Sequence, residues 1–374
     1  MNTSNWTTVV ATTWIIALCM LTSLNCNADN HISMKTTVIP ANDDRLQPIG
    51  RMQFNKDGSA SFGYPGVGFR LTTNAKHLGV NIKSTGSDSY IAVRIDGGEI
   101  KKLKLLKNAS TLSLFAQDTN ESRVVELLHH SETWHGTITL NQFILSEGDI
   151  LPAPALPERK ILVIGDSVTC GEGANRDGAQ ACEKDTSWWN AHRSYGWLTG
   201  EALNAQVQLV CYGGRGLIRS WNGNTNEING PDFYELTIAQ DNGTQWKHAA
   251  YPADLIVVSL GTNDFSLGIG PLPTADAFVP AYVTFVKKLL ADHPKAEIVL
   301  TDGAIVSDGE EARPQRTVLR RYLHQTKQLA DNERVHVFDA SHFPGDECDA
   351  HPTGPQHAKM SQELVAYIQK TLKW

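Results

Sequence analysis

Between about Gly50 and Leu151 the apolar residues alternate with polar ones. Val67, Phe69 and Leu71 form one series, Leu78, Val80 and Ile82 a second; Ile91, Val93 and Ile95 a third before the turn Asp96-Gly97-Gly98, and Ile138 with Leu140 closes the pattern. A period of two places successive side chains on opposite faces of an extended strand. Gly, Asn and Asp between the short runs mark turns. Residues 40–151 are therefore expected to form an antiparallel β-sandwich of jelly-roll type.

After Pro152, Pro154 and Pro157 the texture changes. Lys160 to Gly165 is a continuous apolar run, the pattern of a strand buried on both faces. Val207–Cys211, Asp254–Leu260, Ala296–Leu300 and Arg334–Phe338 are similar, and between them Tyr195–Leu203, Ala275–Leu290, Thr317–Leu329 and Gln356–Leu372 have helical spacing. Strand–helix alternation predicts a parallel sheet covered by helices on both faces. The chain thus reads as two domains, 40–151 and an α/β domain at 158–374, joined by a Pro-rich linker.

The 374 residues carry a net charge of -7, with 41% hydrophobic and 20% charged residues. An acidic chain has no long-range attraction for phosphate backbones or anionic headgroups, so neither nucleic acid nor a membrane surface is expected as a partner. An apolar run from Val9 to Leu24 is short for a bilayer span, which needs about 20 apolar residues. It suits the core of a signal peptide over residues 1–28, with small residues at Cys26-Asn27-Ala28, although no Lys or Arg precedes Lys35. The expectation is a secreted or periplasmic protein; a retained membrane anchor is the alternative. Beyond residue 28 the cysteines are Cys170, Cys182, Cys211 and Cys348. Export permits disulfides, and Cys170 with Cys182, which bracket a short loop, is the expected pair; buried free thiols are the other reading.

Chemistry in an open parallel sheet collects at the carboxyl ends of its strands. The first strand runs into Gly165-Asp166-Ser167-Val168, which presents a serine hydroxyl at the sheet edge. The second ends in Tyr212-Gly213-Gly214-Arg215-Gly216, where glycine lets a backbone N–H approach a ligand. The third ends in Gly261-Thr262-Asn263-Asp264 and offers a side-chain amide donor. The fifth leads to Cys348-Asp349-Ala350-His351-Pro352, in which residues i and i+2 of an extended loop point the same way, so Asp349 can reach His351.

Nucleophile, glycine donor, amide donor and Asp/His pair, in that order, resemble the SGNH (GDSL-type) hydrolase superfamily over roughly residues 158–374. The resemblance implies a flavodoxin-like three-layer α/β/α fold. It also implies Ser167 as nucleophile, His351 as general base, and an oxyanion hole from the Ser167 N–H, the Gly214 N–H and the Asn263 amide. A sandwich ahead of such a domain, with Gly165-Asp166-Ser167-Val168-Thr169-Cys170-Gly171 and the acid and histidine one residue apart, is similar to carbohydrate esterase family 2. That implies removal of O-acetyl groups from xylan or glucomannan, with a preference for 6-O positions. Two departures stand out: Tyr212-Gly213 replaces a Ser-containing turn, and Ala350 replaces an aromatic that some relatives carry.

Trp188, Trp189 and Trp221 lie in the segments after the first two strands and could stack on a sugar ring; Trp246 reads as structural. The His129-His130 pair and His135 have no Cys or carboxylate partner at metal-ligand spacing, and no phosphate loop or dinucleotide fingerprint follows a strand. Neither metal nor cofactor is expected, because a serine, a histidine and oxyanion donors suffice for acyl transfer. The expected partner is an acetylated poly- or oligosaccharide. The alternatives are an SGNH lipase, thioesterase or transacetylase, which for a long acyl group needs an apolar channel, and a non-catalytic carbohydrate-binding protein.

Overall fold

The computed structural model describes residues 36–177, 182–239, 244–309 and 313–374. The expected leader at 1–28 lies outside them, and among the described residues no helix is long and apolar enough to cross a membrane. Twelve strands build the N-terminal half: β1 (Thr36–Pro40), β2 (Gln47–Ile49), β3 (Gln53–Phe54), β4 (Ala60–Phe62), β5 (Gly68–Thr73), β6 (His77–Ser84), β7 (Tyr90–Ile95), β8 (Lys101–Lys104), β9 (Ser110–Ala116), β10 (Arg123–His129), β11 (Ile138–Ser146) and β12 (Ile150–Leu151). They form two antiparallel sheets, ordered β3-β4-β11-β6-β9 with β1 on β11, and β12-β5-β10-β7-β8 with β2 on β5. The alternating apolar residues fill the space between them: Phe69, Leu71, Leu78, Val80, Ile82, Ile91, Val93, Ile138 and Leu140 are all buried. In β11 the alternation slips by one after Leu140, where the register with β6 shifts. A bulge there re-aims the strand, so that Phe143 and Leu145 continue the inward face.

The second half is a five-stranded sheet ordered β14-β13-β15-β16-β17, all parallel, from β13 (Lys160–Gly165), β14 (Gln206–Cys211), β15 (Leu255–Ser259), β16 (Glu297–Thr301) and β17 (Val335–Phe338). The helices are α1 (Tyr195–Ala202), α2 (Gly230–Tyr234), α3 (Ala275–Asp292), α4 (Gln315–Ala330) and α5 (Gly354–Leu372). Because side chains alternate across a strand, the continuous apolar runs serve both faces. Ile161, Val163, Leu209 and Val257 pack with Trp197, Leu364 and Ile368 of α1 and α5. Leu162, Ile164, Ile256 and Val258 pack with Phe278, Phe285 and Leu323 of α3 and α4. In this half the strands and long helices lie within about two residues of their expected bounds; the short α2, with no apolar stripe, was not anticipated.

That second cluster is continuous with the core of the sandwich, so the two halves share apolar packing rather than a hinge. Arg51 bolts the seam. Its guanidinium is buried, lies 5.1–6.0 Å from the rings of Tyr64, Tyr234 and Trp246, and donates to the carbonyls of Tyr234 (2.5 Å) and Leu236 (3.1 Å). The Tyr64 hydroxyl donates to the Phe233 carbonyl at 2.6 Å. Trp246 is thus structural, as expected.

Several histidines are interior groups held neutral. Burial pushes His129 and His192 down to about 3 and His135, His293 and His357 to about 4. Each contributes stability that is fully present above its unfolded pKa of about 6.5 and is lost as pH falls toward the folded value. Burial acts oppositely on Asp166 and Asp264, both raised to about 6, and on Glu132, raised well above its usual range, which weakens the fold as pH rises through the same range. The histidines outnumber the acids. The urea midpoint is therefore expected to rise from pH 5 to pH 6.5; a midpoint that falls over that interval contradicts this reading.

Candidate active site

The strand order makes β13 the point from which the chain leaves first to one side and then to the other, and a crevice opens there at the carboxyl edge. Ser167 stands two residues beyond β13, only 7% exposed. Its hydroxyl lies 2.9 Å from His351 Nε2. His351 Nδ1 lies 2.5 Å from Asp349 Oδ1, which also accepts the His351 backbone N–H at 2.8 Å. A carboxylate at Nδ1 keeps the proton on that nitrogen and leaves Nε2 to accept from the serine. Burial opposes the Asp349 charge, but the hydrogen bonds and charge of His351 and the ammonium of Lys184, 2.8 Å from Oδ2, outweigh it and hold the carboxyl far below its usual range.

Two neighbouring loops complete the edge. Asp264, buried, accepts the N–H groups of Leu217 (2.7 Å), Ile218 (2.8 Å) and Arg219 (3.1 Å), so the loop after β15 anchors the loop after β14. The approach is so close that a Cβ on Gly216 would stand 2.2 Å from Asp264 Oδ2; only glycine fits. Gly214 has φ +75, a left-handed conformation that favours glycine, and its carbonyl accepts the Trp221 N–H at 2.8 Å. Asn263 Nδ2 donates to the Arg215 carbonyl at 2.9 Å and lies 3.4 Å from Asp166 Oδ2.

Ser167, His351, Gly214 and Asn263 line one cleft of about 840 Å³ that also contains Trp134, Trp189 and Trp221. Trp221 is 61% exposed and Trp134 49%. Trp189 meets the Trp134 ring edge-on at 6.0 Å. Trp188 is a correction: it does not line the cleft but is buried, with the Arg176 guanidinium 4.6 Å from its ring. It ends the 3₁₀ turn Thr186–Trp188, capped by Asp185, and the chain leaves that turn extended, so the adjacent indoles face different surroundings. Trp134 escaped the sequence reading because it belongs to the sandwich and reaches the cleft only through docking of the two halves.

The cysteine pairing is a second correction. Cys170 bonds Cys211, not Cys182, and Cys182 bonds Cys348. Gly165 and Cys211 are register partners on β13 and β14, which puts Cys211 beside the turn that carries Cys170. Cys182, for its part, meets Cys348 in the loop that carries Asp349 and His351. Closeness in sequence was the wrong guide.

A further carboxylate was also missed. Glu172 Oε2 lies 3.3 Å from His351 Nε2, and Lys184 bridges Glu172 and Asp349. Glu172, Asp349 and His351 form one of two groups of described side chains that bring three metal-ligating types together; the other is Glu235, His248 and Asp292. Each already holds a lysine ammonium against its carboxylates, Lys184 and Lys288 respectively.

A serine, a histidine and an aspartate in line, opening into a cleft that Gly214 and Asn263 also line, define a serine hydrolase site on a GDSL-type fold. The comparisons agree with that class. Residues 48–154 match the carbohydrate esterase 2 N-terminal family and residues 163–359 the GDSL-like lipase/acylhydrolase family. The chain is 45% identical over 351 residues to an acetylxylan esterase / glucomannan deacetylase of Cellvibrio japonicus (strain Ueda107), covering 93% of this chain and 95% of the relative. Among solved structures, a family two carbohydrate esterase from Cellvibrio japonicus superposes with a TM-score of 0.85 at 45% identity, over 91% of this chain and 99% of that one. One from Clostridium thermocellum, in complex with cellohexaose, shares the fold, with a TM-score of 0.80 at 24% identity over 88% of this chain and 99% of that one. The chain belongs to carbohydrate esterase family 2 and is a carbohydrate esterase.

The pairing is directly checkable. A non-reducing peptide map is expected to contain the Cys170–Cys211 and Cys182–Cys348 linkages; a Cys170–Cys182 peptide would contradict the structure.

Proposed function

We propose that the protein is an exported acetylesterase of plant cell-wall polysaccharides, xylan or glucomannan, acting through an acetyl-enzyme on Ser167. The observation that carries this reading is the line from Asp349 through His351 to the Ser167 hydroxyl, opening into a cleft walled by three indoles. His351 Nε2 takes the Ser167 proton as the oxygen attacks the acetyl carbonyl. The developing oxyanion accepts from the Ser167 and Gly214 N–H groups and from Asn263, whose first amide hydrogen is committed to Arg215 and whose second is held only loosely by Asp166. Such donors are each worth on the order of 3–4 kcal/mol in serine hydrolases. Collapse breaks the ester bond, and the imidazolium gives its proton to the departing sugar oxygen. Water then attacks the acetyl-serine by the reverse proton path, releasing acetate.

Trp134 and Trp221 offer apolar faces on which pyranose rings stack. The cleft wall also carries Lys184, Asp185, Arg215 and Glu227, charged groups that suit a polyol better than a long acyl chain. Ser167 sits deep between these walls, which favours the least encumbered ester on a hexose, the primary 6-O-acetyl group. Export accords with the apolar run at 9–24 and with two disulfides, which persist in oxidising compartments.

Acetate release from acetylated xylan, acetylated glucomannan and 4-nitrophenyl acetate tests the reading. Wild type is expected to release acetate from the glycans, and Ser167→Ala to lose about 10⁴-fold or more in kcat. No release from any substrate by folded wild type would sink the esterase reading and favour a binding protein. Asp349→Asn is expected to cost about 10³-fold, because an amide at Nδ1 supports the wrong tautomer; a loss under tenfold would show that the carboxylate does not orient His351. Trp134→Ala and Trp221→Ala should each raise KM for the polymer about fivefold, with a smaller change on 4-nitrophenyl acetate. Equal changes on both substrates would place the indoles outside the sugar site.

A further inference from the structure

The segment after β10 sends a 3₁₀ turn, Thr133–His135, from the sandwich into the hydrolase half. Its leading residue, Glu132, is fully buried, and Glu132 Oε1 accepts the Gly213 N–H at 2.5 Å. The next residue, Thr133, donates its hydroxyl to the Cys211 carbonyl at 2.7 Å. Two consecutive sandwich residues thus grip the chain on either side of Tyr212, immediately before Gly214. We propose that Glu132 is a positioning residue for the oxyanion-binding loop, so that the β-sandwich is part of the machinery that stabilises the transition state. The proposal rests on the reading above that the Gly214 N–H receives the oxyanion.

The physical need is specific to this sequence. Gly213 and Gly214 are adjacent glycines, with no Cβ to restrict either backbone. Left alone, the peptide between them rotates, and rotation turns the Gly214 N–H away from the reacting carbonyl. One side of the pair is held by the Trp221 N–H donating to the Gly214 carbonyl at 2.8 Å and by a turn in which the Arg215 N–H donates to the Tyr212 carbonyl at 3.2 Å. The other side has the Glu132 carboxyl. The partner end of this contact is itself fixed: the Glu132 N–H donates to His135 Nδ1 at 3.0 Å, and Cys211 is tied to Cys170, three residues past Ser167. Burial pushes the Glu132 carboxyl well above its usual range, aided by the nearby charges of Glu172 and Asp166 and opposed by the Gly213 hydrogen bond. A neutral acid here acts as a hydrogen-bond acceptor and needs no counter-ion, which accounts for the lack of an ion pair to Glu132 among the described residues.

Because the group works as a neutral acceptor, glutamine should replace it and methionine should not. In the full-length protein, Glu132→Met keeps most of the packed volume but leaves the half-buried Gly213 N–H without its carboxyl partner. Its kcat on 4-nitrophenyl acetate is expected to fall about 10- to 100-fold, the cost of a misplaced donor, with KM within about twofold of wild type. Glu132→Gln is expected to recover most of that kcat at the same KM. Two kinetic results overturn the proposal: Met at the wild-type kcat, or Gln as impaired as Met. Thermal midpoints of all three proteins separate a positioning effect from unfolding. Should the Met variant not fold, hydrogen exchange on the wild type decides: the Gly213 amide is expected to exchange as slowly as the interior amides of β14, and fast exchange overturns the contact. That last measurement is independent of activity, so a wild type that releases no acetate would defeat the Ser167 reading without being mistaken for a failure of this one.

Discussion

The imidazole of His351 has to stand between two oxygens supplied by distant parts of the chain, and the rest of the site exists to keep it there. Ser167 arrives from the end of β13; Asp349 and His351 arrive from the loop before α5. The 2.9 Å contact to Ser167 and the 2.5 Å contact to Asp349 leave little slack, since a shift of about 1 Å in such a geometry costs on the order of 10²-fold in rate. A loop is the least rigid place to carry such residues, and this one is stapled repeatedly. Cys348 is bonded to Cys182, Arg176 reaches from beneath Trp188 to Asp346, and Gln356 of α5 donates to the Gly345 carbonyl at 2.9 Å while accepting its N–H at 3.1 Å. Lys184 joins Asp349 to Glu172 and so offsets two carboxylates that would otherwise repel each other beside the same histidine.

The same economy governs the opposite wall. The loop bearing Gly214 is held by its own turn and by Trp221 from its continuation, and two outside groups fix it further: Asp264 from the loop after β15 and Glu132 from the sandwich. This gives the N-terminal half a physical reason to share a core with the sheet instead of hanging on a linker. Arg51 makes that docking stringent. A buried guanidinium whose donors serve two carbonyls tolerates no alternative seating, because any sliding of the two halves would strand polar groups in an apolar interface.

Much of this was legible in the sequence, for reasons of periodicity. Residues 161–164 are apolar without interruption because β13 is covered on both faces, while β6 alternates because it belongs to a sheet with one dry face. Ser167, Gly214, Asn263, Asp349 and His351 each follow a strand of one parallel sheet, so chain order alone brings them to one edge. Glu132 and Trp134 were not legible, since nothing local to the sandwich records which of its turns faces a partner. The disulfides failed for a related reason: the partner of Cys170 is set by strand adjacency, and that of Cys182 by where the loop before α5 comes to rest. Trp188 and Trp189 show the finest limit. They are neighbours in sequence, yet one packs beneath Arg176 and the other lines the cleft.

The central claim is that the acetyl group passes through Ser167, and trapping tests it most directly. Wild type turning over an acetylated glycan or 4-nitrophenyl acetate would be quenched in acid within the first turnovers, digested and read by mass spectrometry. The account predicts an acetyl ester on the peptide that contains Ser167, located on that residue and absent from Ser167→Ala. Sustained acetate release with an unmodified Ser167, or with the acetyl group on another side chain, would contradict it.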